Sequence, residues 1–164
     1  MTITEMNALT IPDVARLEEE CFAHPWTEAS IEEAYNNPAS FFLLARDDDK
    51  AVIGYISAYM VRDEAFINNV AVTAAHRREG VARALVDAML KRVQGNGASF
   101  LSLEVRMSNQ AAISLYQGAG FEIEGIRKKF YRDPDEDAFI MTKTFDRPHP
   151  EDPDGGRWKE GIIL

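Results

Sequence analysis

Asn69-Val70-Ala71-Val72, followed by His76-Arg77-Arg78-Glu79-Gly80-Val81-Ala82-Arg83, is the stretch on which the reading of this chain turns. The first block is β-prone. The second opens a helical repeat in which Ala82, Leu85, Val86, Met89, Leu90 and Val93 fall on one face. A strand, a basic loop and a helix start therefore follow one another between residues 69 and 83. Such a junction suits a pyrophosphate. First-turn N–H groups have no partner inside the helix and sit at the positive end of its dipole, while Gly80 and Ala82 let backbone approach a ligand closely. Arg77, Arg78 and Arg83 add positive charge. A Gly-x-Ala alone marks an ordinary capped helix more often than a phosphate site, so the rest of the chain has to decide.

Upstream, Ile11, Val14, Leu17 and Cys21 recur at helical spacing behind a Thr10–Asp13 capping pair, which predicts a first helix ending before Pro25. A short second helix is expected from Thr27. Phe41 to Ala45 and Ala51 to Val61 are β-prone runs around the polar turn Asp47-Asp48-Asp49, an antiparallel hairpin, and Ala65 to Val72 is a further strand. Downstream, the helix from Gly80 closes at Gly95-Asn96-Gly97. Phe100 to Val105 is a strand, Asn109 to Ala119 a helix ended by Gly120, and Phe121 to Tyr131 and Ala138 to Thr144 are the last strands. The fold class is mixed α/β. With 164 residues and 46% hydrophobic content, one domain over residues 1–145 is expected. Residues 146–164 are rich in Asp, Pro and Gly, the composition of an extended tail that Trp158 and Gly161-Ile162-Ile163-Leu164 alone interrupt.

A net charge of -9 argues against a nucleic-acid partner, because phosphate-backbone binding needs clustered Lys and Arg. Cys21 is the only cysteine, which excludes an internal disulfide and suits a reducing compartment. Its place on the apolar stripe of the first helix predicts a buried structural thiol rather than a nucleophile. Met1 to Thr10 lacks the pattern of a signal peptide and no stretch reaches the length of a membrane span, so a cytoplasmic protein without a membrane partner is expected. His24, His76 and His149 show no ligand spacing, and no metal is expected.

Arg77-Arg78-Glu79-Gly80-Val81-Ala82 fits the pattern Gln/Arg-x-x-Gly-x-Gly/Ala. Further blocks stand in order around it: Cys21-Phe22 with Pro25-Trp26-Thr27, Leu103-Glu104-Val105-Arg106 with Ser108-Asn109, and Ala112 with Leu115-Tyr116. Gly120-Phe121, Arg127 with Phe130-Tyr131, and Glu136-Asp137-Ala138 with Met141 complete the set. Together, over Thr10 to Thr144, they resemble the Gcn5-related N-acetyltransferase (GNAT) superfamily, and within it the RimI type, the ribosomal-protein alanine N-acetyltransferases. The resemblance implies a central mixed, mostly antiparallel sheet whose fourth and fifth strands splay to admit acetyl-CoA. It implies that the backbone of Val70, Ala71 and Val72 pairs with the pantetheine arm. It also implies that the loop of Arg77, Arg78, Glu79, Gly80, Val81, Ala82 and Arg83 wraps the pyrophosphate, and that Asn109 bonds the cofactor. Read from its position alone, Asn109 is equally a helix cap.

Attack on a thioester needs a neutral amine, so a base must take a proton from the ammonium. Period-two alternation puts Glu104 on the opposite face of its strand from Leu101, Leu103 and Val105, and the matched block makes it the candidate base. By the same resemblance Tyr116 is the candidate acid for the departing coenzyme A thiolate, although its spacing with Ala112, Leu115 and Ala119 also suits a core aromatic. The implied acceptor is a protein N-terminus, in the RimI type the N-terminal Ala of a small-subunit ribosomal protein. Acetylation of a lysine side chain or a small amine, and a non-catalytic acyl-CoA-binding module, are the alternatives. Pro25-Trp26 shapes the substrate mouth in this type or is an anchored loop pair. Phe130-Tyr131 departs from the type's Tyr-Tyr and removes one hydroxyl from the expected peptide-recognition edge. The oligomeric state is not legible.

Overall fold

The computed structural model describes residues 1–146. Among them are seven strands and four α-helices: β1 (Thr2–Glu5), α1 (Ile11–Cys21), α2 (Glu28–Asn36), β2 (Ser40–Arg46), β3 (Val52–Val61), β4 (Glu64–Val72), α3 (Val81–Gly95), β5 (Phe100–Arg106), α4 (Gln110–Gly118), β6 (Glu122–Tyr131) and β7 (Glu136–Thr144). They form one sheet in the order β1-β2-β3-β4-β5-β7-β6, antiparallel except for the parallel pair β4–β5. The parallel pair is the one that needs a helical crossover, and α3 supplies it.

Each face of the sheet has its own core. On one, Val81, Leu85, Val86, Met89 and Val93 of α3 and Ile113 of α4 pack on Leu43, Ile56, Leu101, Leu103, Val105 and Met141. Leu85 and Met89 are fully buried, and each contributes about 1.5–3 kcal/mol by leaving water. Gly54 lets α3 settle closely, since a Cβ there would lie 3.0 Å from the Ala71 carbonyl oxygen and 3.2 Å from Val81 Cγ1. On the other face, Ile11, Val14 and Leu17 of α1 and Ile31 of α2 cover Phe42, Leu44, Val52, Tyr55 and Ala71. This second core is built on β2, β3 and β4, so the matching face of β5, β7 and β6 lies beyond it.

Two irregularities prepare the site. β4 and β5 pair only from Glu64–Phe100 to Phe66–Ser102 and then part, leaving the β5-facing edge of Ile67 to Val72 open. This is the splay expected of the fourth and fifth strands. In β4, the register slips between Ile67 and Asn69 against β3, a bulge at Asn68. Ala65 and Ile67 face α3 before it; Val70 and Val72 do so after it, and Asn69 and Ala71 turn to the α1 side.

Several local expectations change. β1 was not anticipated; only four residues long, it pairs with β2 from Thr2–Arg46 to Glu5–Leu43. Thr10 does not cap α1 with its side chain. Its hydroxyl donates to the Asn7 carbonyl at 2.8 Å and accepts from the Asn7 N–H at 3.1 Å, so the reciprocal cap belongs to the 3-10 turn Ala8–Thr10. Thr27 does cap α2, accepting from the Ser30 N–H at 3.1 Å. α3 runs through Gly95 before ending at Asn96. The expected tail, with His149, Trp158 and Leu164, lies outside the described residues apart from Asp146.

Candidate active site

Two walls face each other across the β4–β5 opening. The first is the open edge of β4 with the loop that follows it. Glu20, at the end of α1, accepts from the Ala74 N–H at 2.7 Å and from the Thr73 hydroxyl at 3.0 Å; these bonds hold its carboxyl below the ordinary glutamate range. Glu79 meets His76 Nδ1 at 2.9 Å. Arg78 and Gly80 adopt left-handed φ values of 62° and 82°, and no side chain caps α3. The two left-handed residues bend the loop sharply into α3, whose uncapped first turn offers its N–H groups to an anion.

The requirement for glycine at position 80 lies in that φ. A Cβ built there meets nothing within 4 Å, so crowding by the protein itself is not the reason. Side-chain charge is less concentrated on the loop than its three arginines suggest. Arg83 Nε pairs with Asp87 at 3.0 Å, and Arg77 folds back so that its Nε donates to the Val72 carbonyl at 3.2 Å. Cys21 is half-buried rather than buried, with Sγ 3.5 Å from the same carbonyl and 3.6 Å from Arg77 Nη2. The stripe carries it to the rim of the helix, beside the end of β4.

The second wall is β5 with α4 and the β6–β7 hairpin. Leu101, Leu103 and Val105 lie in the α3-side core, so Glu104 points to the opposite face, as the alternation requires. Its Oε1 pairs with Arg127 Nε of β6 at 3.1 Å. Tyr116 approaches from the α3 side, packed edge-on against Phe121 with ring centroids 5.6 Å apart. Burial, and then the nearby Tyr131 hydroxyl, push its phenol well above the ordinary value. Tyr131 is itself pushed up to about 12 by burial and then by Glu104. Tyr131 therefore stands near both expected catalytic groups, a junction that sequence reading missed because the three residues belong to three distant elements.

Arg106 fixes the hairpin that carries Tyr131. It donates to the carbonyls of Pro134 and Arg132, each at 2.8 Å, pairs with Glu136 at 3.3 Å, and lies 4.5 Å from the centre of the Tyr131 ring. Glu136 also accepts from the Ser108 N–H at 2.6 Å; the Ser108 hydroxyl first, then that N–H and Arg106, keep its carboxyl below the ordinary range. Asn109 caps α4, its Oδ1 accepting from the Ala112 N–H at 3.1 Å, which leaves the amide NH₂ as the part able to meet a ligand. Trp26 is half-buried against the α1-side core, and its backbone N–H donates to Glu18 at 3.0 Å, so the loop Trp is anchored. His24 of the same loop bonds Asp133 of the β6–β7 turn and thereby joins the α1–α2 loop to the second wall at the surface. Phe130 remains 47% exposed.

The residues fit acetyl-CoA in two respects independent of any motif: a strand edge open to an extended amide-bearing arm, and an uncapped helix N-terminus at that strand's end. Among the described residues no group of three or more His, Cys, Asp or Glu is placed to hold a metal, and no helix is long and apolar enough to cross a membrane.

Comparison with known proteins gives the same outline. The model of the acetyltransferase (GNAT) family matches residues 11–121. The [ribosomal protein bS18]-alanine N-acetyltransferase of Escherichia coli K12 is 33% identical over 142 residues, which cover 85% of this chain and 95% of that protein. The crystal structure of the ribosomal-protein-S18-alanine N-acetyltransferase from Escherichia coli superposes with a TM-score of 0.83 at 30% identity, covering 91% of this chain and 96% of that one. Ard1 from Thermoplasma volcanium superposes with a TM-score of 0.78 at 29% identity, covering 87% and 96% respectively.

Proposed function

The chain belongs to the acetyltransferase (GNAT) family and is an acetyl-CoA-dependent N-acetyltransferase, and from that premise we propose that its acceptor is the N-terminal amine of a protein, with the N-terminal Ala of a small-subunit ribosomal protein as the particular substrate. The observation that carries this reading is the 33% identity over 85% of the chain with an enzyme named for the ribosomal protein bS18 alanine. Domain organisation follows as a catalytic unit over residues 1–145 and a tail over residues 146–164.

Val70, Ala71 and Val72 hold the pantetheine arm by backbone pairing along the open edge of β4. The backbone of Arg77 to Arg83 holds the pyrophosphate at the start of α3, and the Asn109 amide reaches the same ligand from α4. Acetyl-CoA supplies the acetyl thioester. Glu104 takes a proton from the incoming ammonium, which replaces Arg127, its partner at 3.1 Å, beside the carboxylate. The amine nitrogen then forms its bond to the acetyl carbon as the carbon–sulfur bond breaks. Tyr116, whose raised pKa keeps its proton on oxygen at neutral pH, gives that proton to the departing sulfur, and the second proton lost by the nitrogen passes to solvent, from which Tyr116 is reprotonated. The Tyr131 hydroxyl, near both groups, faces the acceptor.

The test is acetyl-CoA with a panel of N-terminal peptides, lysine peptides and polyamines, read by mass spectrometry. Peptides beginning with Ala should be modified on the α-amine alone. Modification confined to polyamines or lysine side chains would move the chain to another acceptor class, and tight acetyl-CoA binding with no product would make it a binding module.

A further inference from the structure

Glu18 has no part in the chemistry above, yet it is the only charged side chain among the described residues that is fully buried, at 1% exposure. From α1 its Oε1 accepts from the Tyr55 hydroxyl of β3 and, at 2.7 Å, from Asn69 Nδ2 of β4; its Oε2 accepts from the backbone N–H of Trp26 at 3.0 Å. Burial followed by the Glu18 carboxylate pushes the Tyr55 phenol far above its ordinary value, so Tyr55 stays a donor. A buried carboxylate with three bonds is a poor device for stability alone, since desolvation opposes it and apolar packing of similar volume serves as well. What it supplies is a fixed geometry between its partners.

Those partners stand at functional places. Asn69 follows the Asn68 bulge and precedes Val70, so its orientation goes with that of the edge assigned to the pantetheine arm. Trp26 lies in the α1–α2 loop, which reaches the β6–β7 turn through His24 and Asp133 at the acceptor side. We propose that Glu18 is a positioning residue whose carboxylate ties the acceptor-side loop at Trp26 to the cofactor strand at Asn69, so that occupation of the β4 edge is transmitted to the acceptor mouth. The proposal rests on the reading that the acceptor enters beside Trp26.

The chain has two tryptophans, and Trp158→Phe leaves Trp26 as the single reporter. In that background acetyl-CoA titration should change Trp26 emission, with binding measured in parallel by calorimetry. Glu18→Leu severs all three bonds and Asn69→Ala severs only the strand end, which keeps the test standing if the first variant does not fold. Both should bind acetyl-CoA within about threefold of the parent and raise the peptide KM roughly tenfold at little changed kcat, the scale of one lost bond to a charged group. Their Trp26 emission should no longer respond to acetyl-CoA. Glu18→Gln should restore the response, because Tyr55 and the Asn69 amide can turn to accept from its NH₂ while its oxygen keeps the Trp26 N–H.

An emission response that is absent in the parent, or equal in parent and both severed variants, overturns the proposal. So does a fall in acetyl-CoA affinity and peptide turnover that merely follows the melting temperature. If the parent modifies no peptide, the acceptor reading fails by itself, and the fluorescence titration still decides the coupling.

Discussion

The wall on the β4 side of the seam and the wall on the β5 side are held by different means. On the β4 side the groups offered to a ligand are backbone: an unpaired strand edge and the amides of a left-handed turn and an uncapped helix. Side chains such as Glu20 and Arg77 hold that backbone in shape or fold back onto it. On the β5 side the groups proposed to act are side chains, Glu104, Tyr116 and Tyr131; the first two stand on regular strand and helix, and Tyr131 follows a register shift in β6. The difference teaches where substitutions should bite: in turnover on the side-chain wall, in cofactor affinity on the backbone wall.

The largest effect is expected on the side-chain wall. Glu104→Gln should lower kcat by roughly 10²- to 10⁴-fold, the range of a general base, with acetyl-CoA affinity by calorimetry nearly intact. A drop in affinity at unchanged turnover would reassign Glu104 to binding and break the division. Tyr116→Phe should lower kcat at the lower end of that range, roughly 10²-fold, because a donor to sulfur is removed while the ring still packs on Phe121. If only the melting temperature falls, Tyr116 is a core aromatic.

The matching prediction for the backbone wall is Gly80→Val. A β-branched residue at φ 82° is strained by more than about 1–2 kcal/mol, so the loop must refold and acetyl-CoA should bind at least about tenfold more weakly. Because no protein atom lies within 4 Å of the missing Cβ, Gly80→Asn, a residue that tolerates the left-handed region, separates strain from ligand crowding. Binding kept in Asn but lost in Val would point to φ; an equal loss in both would point to the approaching phosphates. Wild-type binding by Gly80→Val would place the pyrophosphate elsewhere.

The same division governs what the sequence made legible. The backbone wall is local in the chain: a β-prone run, a basic turn, a glycine and a helical stripe follow one another from Asn69 to Val93, so strand β4, loop and helix α3 could be read directly. The side-chain wall is not local. Alternation placed Glu104 on the correct face, but its neighbour Arg127 and the electrostatic influence of Tyr131 on Tyr116 depend on β6 lying outside β7, which no period reveals. Two other features escaped for local reasons. The bulge at Asn68 reverses the alternation within β4, and Glu18 reads as one of three successive glutamates until Tyr55 and Asn69 are seen to enclose it. β1 escaped because four residues with one apolar side chain carry no periodic signal.

Charge on the backbone wall should matter less than its shape. Arg78→Ala should weaken acetyl-CoA by roughly two- to fivefold, in keeping with the modest worth of exposed charges near a helix end. Arg83→Ala should weaken it less, since Arg83 already pairs with Asp87 at 3.0 Å. Both losses should shrink as salt screens the phosphates. Titration at low and high salt decides the matter: losses larger than that of Gly80→Val, or insensitive to salt, would make charge rather than geometry the source of affinity.

The smallest effect is expected at Glu20, which shapes the backbone wall without facing a ligand. Its carboxyl is lowered first by the Ala74 N–H and then by the Thr73 hydroxyl, with Arg77 and Arg16 adding a smaller pull. A carboxyl lowered in the folded state favours folding at pH values above its unfolded value, and that contribution is lost as pH falls through the folded value. Glu20→Gln keeps an oxygen for the Ala74 N–H but has no charge to lose. The variant should therefore melt slightly below the parent at pH 7, and the gap should close as pH drops from about 4.5, the ordinary value, through the lower folded one. Thermal melts of both proteins between pH 7 and 3 read this directly. A gap that persists at the acid end would mean that geometry, not charge, joins α1 to the loop, and the backbone wall would then owe nothing to electrostatics at this corner.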